Sequence, residues 1–165
     1  GCGVTVRDYG HLLAQDHAYA EKAQRISDLT QDIGEILDGE KAKLKSLLTP
    51  HASRLTQRIA FHAPCTLQHG LKLAGKIESL LTDLGFDLVP VADSHLCCGS
   101  AGTYSILQPE LSQRLLANKI KALSDGAPSA ILTANIGCQS HLQGGTSLSV
   151  RHWIEALDDL LSGHP

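Results

Sequence analysis

The sequence predicts an α/β fold: a small parallel sheet of about four strands flanked by helices, preceded by a helical hairpin. Three observations carry this reading. Short apolar runs, RIAFHA (58–63), FDLVPV (86–91), SAILTAN (129–135) and SLSV (147–150), alternate with amphipathic stretches, and strand–helix alternation builds βαβ units with parallel strands. Gly85, Pro90 and Pro109 punctuate the joints. The first 50 residues follow a different pattern, apolar residues three or four apart on a background rich in Glu, Lys, Asp and Gln.

From Arg7 to about Leu48 the periodicity is helical. Ala23, Ile26, Leu29, Ile33 and Leu37 form one stripe, Asp38-Gly39 interrupts it and Thr49-Pro50 ends it. The expectation is an amphipathic hairpin, serving as a packing element or an interface. RIAFHA reads as a buried strand. Residues 65–84 follow as a helix with Leu67, Leu71, Ala74, Leu81 and Leu84 on one face, stopped by Gly85. FDLVPV is a second strand, with Pro90 marking its end or an edge. Pro109 starts a helix over 109–124 that points Leu111, Leu115, Ile120 and Leu123 inward. SAILTAN and SLSV supply the last strands, and residues 152–162 a closing helix with Trp153, Leu157 and Leu160 inward.

The chain has 165 residues, 42% of them hydrophobic, and 14 Lys+Arg against 17 Asp+Glu for a net charge of −3, the balance of a globular domain. No run of like charges marks a nucleic-acid arm or a polybasic membrane patch, so nucleic acid is not an expected partner. No apolar run approaches the roughly 18–20 residues that span a bilayer, and no leader-like segment opens the chain. It starts at Gly1 and contains no Met, so it reads as a piece of a longer polypeptide or a processed product.

The five cysteines, Cys2, Cys65, Cys97, Cys98 and Cys138, are an odd number without a leader, which argues against a disulfide framework. Cys65 follows the first strand, Cys97 and Cys98 the second, and Cys138 the third. Loops at the carboxyl ends of parallel strands share one edge, so these sulfurs should converge. The pattern is C-x31-C-C-x39-C-x2-H, ending at His141. Four thiols there can complete the coordination of zinc, or hold the irons of a [4Fe-4S] cluster, one thiolate per iron. Vicinal side chains tend to diverge, which suits a cluster better than one ion. Gly99, Ser100, Ala101 and Gly102 let the backbone approach and aim N–H groups at thiolate or sulfide. Cys65 follows Pro64 at a helix start, where the dipole favours thiolate.

Taken singly, each cysteine would read as a buried small hydrophobe; the site reading rests on the four together. His141 is a candidate ligand, a hydrogen-bond donor to a ligand, or a plain loop residue. His62 and His95, each within three residues of a cysteine, are candidates for hydrogen bonds to thiolate. His11, His17, His51, His69, His152 and His164 read as surface or packing residues. A phosphatase-type loop needs Cys-x5-Arg, but Thr103 and Tyr104 stand at those positions, and no Cys-x-x-Cys is present for a thioredoxin motif. A Cys-His nucleophile stays open, although it leaves three cysteines without a role.

FHAPCTLQHG, DSHLCCGSAGTY, LTANIGCQSHL and VRHWIEAL resemble the CCG (cysteine-rich) domain of the heterodisulfide reductase family, and within it the C-terminal part of bacterial glycolate oxidase iron-sulfur subunits. The resemblance covers essentially the whole chain. It implies a second, Rossmann-like CCG domain over 51–165, and over 1–50 the remnant of a first CCG repeat with linking helices; Cys2 in GCG then takes the place of Cys138 in IGCQ. It implies Cys65, Cys97, Cys98 and Cys138 as cluster-binding positions beside Gly99. His141 stands where the five-cysteine form ends in Cys-x-x-Cys, which sets aside the noncubane cluster pair and leaves a [4Fe-4S] cubane or zinc. The implied function is electron transfer from flavin-bearing glycolate oxidase subunits toward quinone, beside an N-terminal ferredoxin-like part of the same parent, in the cytoplasm or at the inner membrane through partners. The chain itself would then hold no catalytic residue. The alternatives are a zinc-binding or metal-free assembly module of the same complex, or a thiol-disulfide reductase working through Cys97 and Cys98.

Overall fold

Four parallel strands form one sheet: β1 (Arg58–His62), β2 (Asp87–Val89), β3 (Ala130–Thr133) and β4 (Ser149–His152), in the spatial order β2-β1-β3-β4. This computed structural model describes residues 2–162, with Arg54 described by its backbone; Gly1 of the GCG segment and His164 lie outside the described residues. Two units divide the chain, residues 1–40 and 41–165.

In the second unit the central strands are buried over consecutive residues, Ile59–His62 on β1 and Ile131–Thr133 on β3. That is the signature of strands covered on both faces. The register pairs Ile59 with Leu88 and Ala130, Phe61 with Leu132, and His62 with Thr133. β2 is an edge strand and ends at Pro90, which has no N–H to continue a ladder. β4 starts two residues later than the SLSV run, at Ser149. The chain runs from β1 out to β2 and then returns across β1 to β3, so strand order reverses between β1 and β3. Ligand crevices of open α/β sheets form outside the carboxyl ends of strands at such a switch point.

Helices cover this sheet. α5 (Lys41–Leu48), followed by a 3-10 turn (Thr49–Arg54), buries Leu44 and Leu48. α6 (Lys76–Asp83) buries Ile77, Leu80 and Leu81 and stops before Gly85, whose φ of +100° suits glycine. α7 (Tyr104–Leu107) and α8 (Pro109–Ser124) follow β2; α9 (Ile136–Gln143) follows β3; α10 (Trp153–Ser162) buries Trp153 and Leu157. One continuous core joins Ala60, Val89, Leu116, Leu123, Ile131, Leu142 and Val150, and includes Cys98.

Two expectations are corrected by the structure. Residues 65–84 are not one helix: Cys65 opens a π turn (Thr66–Gly70), and positive φ at Lys72 and Gly75 separates it from α6, leaving Ala74 exposed. The buried face of α8 keeps the expected Leu123, with Ile120 packed at the core's margin, but runs through Ser112, Leu116 and Lys119, while Leu111 is 44% exposed. Two polar groups on that face reach distant backbone. Ser112 Oγ donates to the Gly99 carbonyl at 2.9 Å, and Lys119 Nζ donates to the Asp93 carbonyl at 2.8 Å.

The first unit holds α1 (Cys2–Arg7), α2 (Tyr9–Leu12), α3 (Ala20–Leu29) and α4 (Ile33–Gly39), so the helical segment ahead of the sheet is divided more finely than its periodicity suggests. A capping box starts α4: Asp32 accepts from the Gly34 amide at 2.9 Å, and Glu35 accepts from the Asp32 amide at 2.9 Å. Arg7 pairs with the same Glu35 at 2.8 Å. Gly10 donates its amide to Ser27 Oγ at 2.8 Å, and a Cβ on Gly10 would run into Gln24. Of the expected stripe only Ala23 is buried; Ile26, Leu29 and Ile33 are exposed.

Candidate metal centre

Each of the three thiol-bearing loops leaves the carboxyl end of a strand. After β1, Pro64 is buried and Cys65 sits half-buried at the head of the π turn. After β2, Asp93 takes an uncommon positive φ of +49°, and the chain passes Cys97 to buried Cys98 and then to Gly99 at φ +93°. After β3, Asn135 caps α9 by accepting from the amides of Gly137 (2.9 Å) and Cys138 (3.3 Å), which fixes Cys138 in the first turn.

Polar side chains tie the three loops together. Gln68 Nε2 donates to the carbonyls of Ala63 (2.6 Å) and Ser94 (3.2 Å), joining the first loop to the second. Asn135 Nδ2 lies 3.4 Å from Thr66 Oγ1, joining the third to the first. Ser112 links Gly99 in the second loop to His141 Nε2 on α9, at 3.3 Å. Lys119, 3% exposed, holds the carbonyls of Asp93 and Ser94 from below. Burial lowers the pKa of Lys119, opposed by the field of Cys65 and Cys98.

The sulfurs form two contacts. Cys98 and Cys138 bring their sulfurs within 4.8 Å of one another, and Cys65 feels Cys97 more than Cys98, so the vicinal cysteines face different neighbours. Cys98 is held down to about 4: the Cys138 thiol donates to it, outweighing burial, with help from the His62 ring and the Ser100 backbone. Cys138 is pushed strongly upward by that same bond to Cys98, with burial adding to it. Cys65 is pushed up to about 11 by burial first and by Cys97 second. The expected helix-start thiolate at Cys65 is therefore reversed: the turn it heads is too short to offset desolvation and the neighbouring sulfurs. Cys97 Sγ accepts from the Gly99 amide at 3.3 Å.

Donor atoms of His62, Cys98 and Cys138 lie within 4.8 Å of one another. His62 is 2% exposed; its Nδ1 is 3.0 Å from Thr133 Oγ1, and its Nε2 is buried with no hydrogen bond of good geometry among the described residues. The ring nevertheless stands close enough to Cys98 to hold that thiol down. A buried nitrogen without a partner next to thiols is a donor set suited to a thiophilic metal or cluster. His141 is turned to Ser112 and is outside this close group, and His95 is exposed. Gly99 has a packing reason besides its nearness to sulfur, since a Cβ there would overlap the Ser112 carbonyl oxygen. His62, expected near thiolate from its place three residues before Cys65, is a close member of the group, whereas the ties through Gln68, Ser112, Lys119 and Asn135 went unread in the sequence.

A parallel α/β domain that gathers four thiols and a buried imidazole at its switch point defines a class, the cysteine-centred site domain. Within that class the chain belongs to the CCG family, whose model, described as "Cysteine-rich domain", matches residues 59–143. It is 49% identical over 161 residues to the glycolate oxidase iron-sulfur subunit of Escherichia coli (strain K12), covering 98% of this chain and 38% of that protein. It is 30% identical to a probable glycolate oxidase iron-sulfur subunit of Bacillus subtilis, covering 88% of this chain and 32% of that protein. It is 24% identical to a lactate utilization protein A of Bacillus licheniformis, covering 95% and 66%. The chain thus spans between about a third and two thirds of these curated relatives. No described helix is long and apolar enough to cross a membrane.

Proposed function

We propose that this chain is the thiol-site part of an iron-sulfur electron-transfer subunit in an oxidoreductase complex acting on a small 2-hydroxy acid, glycolate being the first candidate. The observation that carries the reading is the convergence of Cys65, Cys97, Cys98 and Cys138 from three loops onto the β1/β3 switch point. The names of the relatives support it: two are iron-sulfur subunits of glycolate oxidase and one a lactate utilization protein. The four thiols would hold a [4Fe-4S] cluster, which supplies one-electron chemistry when bound. The chain's own residues do the rest. The loop ties hold the sulfurs in place, Gly99 donates its amide to Cys97, and the core beneath Cys98 excludes water. In this reading residues 1–50 are the remnant of a first CCG repeat with linking helices, and 51–165 the second CCG domain. A flavin-bearing partner gives electrons, a ferredoxin-like part of the same parent relays them, and quinone receives them at the inner membrane.

A second reading rests on a specific observation. Ligands about 2.3 Å from one tetrahedral zinc stand roughly 3.8 Å apart, and His62, Cys98 and Cys138 are already within 4.8 Å. A zinc ion there would make the domain an assembly module.

Iron, acid-labile sulfide and zinc content of protein purified without oxygen decides between them. About four iron and four sulfide per chain is expected, with Cys65→Ser and Cys138→Ser losing metal as fully as Cys98→Ser. Stoichiometric zinc without sulfide would overturn the electron-transfer reading, and metal retained by either outer variant would break the four-thiol set. Release of metal by His141→Ala would add His141 to the ligands; unchanged content leaves it a strut for Ser112.

A further inference from the structure

The crevice at the switch point contains one group that the four-thiol set does not use. His62 ends β1 directly opposite Thr133 at the end of β3, 71 residues away, and the two side chains meet at 3.0 Å with both residues buried. Either group can donate in this bond, depending on the tautomer. A buried hydroxyl must place its proton on an acceptor. Among the described residues, the partner of Thr133 Oγ1 is His62 Nδ1. With the hydroxyl donating, Nδ1 accepts and the ring N–H sits on Nε2. That nitrogen has no hydrogen bond of good geometry, in a group where the ring, Cys98 and Cys138 approach within 4.8 Å.

We propose that His62 is a fixed N–H donor to the sulfur centre, held in its Nε2–H tautomer by Thr133, and that it acts on the centre without ligating it. The assignment deepens the site reading above and rests on the thiols holding a metal. A ligand would need Nε2 free of its proton, which would strand the Thr133 hydroxyl. A donor to ligand sulfur stabilises the more negative, reduced state and so raises the reduction potential. His62 is then a positioning and tuning residue.

Nitrogen-15 NMR of histidine-labelled protein, kept anaerobic and taken in whatever metal state iron, sulfide and zinc analysis finds, reads the tautomer directly. The expected result is a protonated Nε2 and an unprotonated Nδ1 at His62. An unprotonated, metal-shifted Nε2 would overturn the proposal by making His62 a ligand. Metal analysis on the same sample reports separately on the site reading, because zinc or an empty site still leaves the tautomer legible. Thr133→Val should give a mixture of tautomers, and an unchanged single tautomer would remove Thr133 as the lock. If the sample holds a cluster, His62→Leu should lower the reduced-to-oxidised ratio at a fixed potential about tenfold, equivalent to ~59 mV for one electron. His62→Gln, which keeps an N–H, should recover most of it. A His62→Leu ratio equal to that of the unmodified protein at equal iron content would overturn the tuning role.

Discussion

The two units of the chain differ in what they bury. In residues 41–162 a set of large hydrophobics is wholly buried, Trp153, Ile77, Leu80, Leu81, Leu123, Ile131, Leu132 and Leu142, although Leu47, Ile106, Leu107 and Ile136 are exposed. In residues 2–40 the buried residues are small, Gly10, Ala23, Ser27 and Gly34, while Leu12, Ile26, Leu29, Ile33 and Ile36 face outward. One unit is held by a continuous apolar core. The other is held by a capping box, a 2.8 Å Arg7–Glu35 pair and close backbone approach at Gly10, each worth about 1 kcal/mol. Periodicity alone does not separate these cases, because a stripe of Ile and Leu looks the same whether or not anything covers it.

Substitutions can break or sharpen this contrast. Trp153→Ala should cost the second unit about 3–5 kcal/mol, read as an earlier urea midpoint; a loss comparable to that of a surface change would mean the sheet core is not the source of stability. Gly99→Ala should cost about 1–3 kcal/mol, because the left-handed backbone and the Ser112 carbonyl both oppose a side chain, and it should displace Cys97 and Cys98 as well. Normal metal content together with normal stability would show that the loop has room.

Glu78 gives a smaller effect that depends on pH. Its Oε2 is buried without a partner among the described residues, on a cavity of about 300 Å³ beside Phe61 and Val91, and burial raises the carboxyl's pKa. A raised acid pKa means that the folded state binds its proton more tightly than the unfolded chain. The stability this gives is present below the ordinary glutamate range and is lost as pH rises through the raised value. Glu78→Gln should therefore stabilise at neutral pH and make no difference in acid; a destabilised variant at neutral pH would mean that the carboxylate has a partner. Ile26→Ser, at the other extreme, should change stability by no more than about 0.5 kcal/mol. A loss near that of Trp153→Ala would erase the contrast between the units.

The strands were legible because RIAFHA, FDLVPV and SAILTAN are apolar runs between turn signals, and the strand ends placed all three cysteine loops at one edge. The face of α8 was not legible, since its buried positions include Ser112 and Lys119, whose reasons for burial are carbonyls of a distant loop. α9 escaped for a related reason: IGCQSHLQ buries Leu142 alone and has almost no amphipathic signal, so only the Asn135 cap marks its start. Proximity of His62 to Cys98 and Cys138 depends on the register of β1 with β3, and register is a property of the folded sheet.

Sequence order decides when that register can form during synthesis. Cys65, Cys97 and Cys98 leave the ribosome before the strand bearing Thr133 and before Cys138. At about 5–20 residues per second the early thiols wait on the order of seconds for their last companion. Closing so long a loop is slow relative to local helix formation. During that interval the early thiols lack the companions that the folded sheet brings to them.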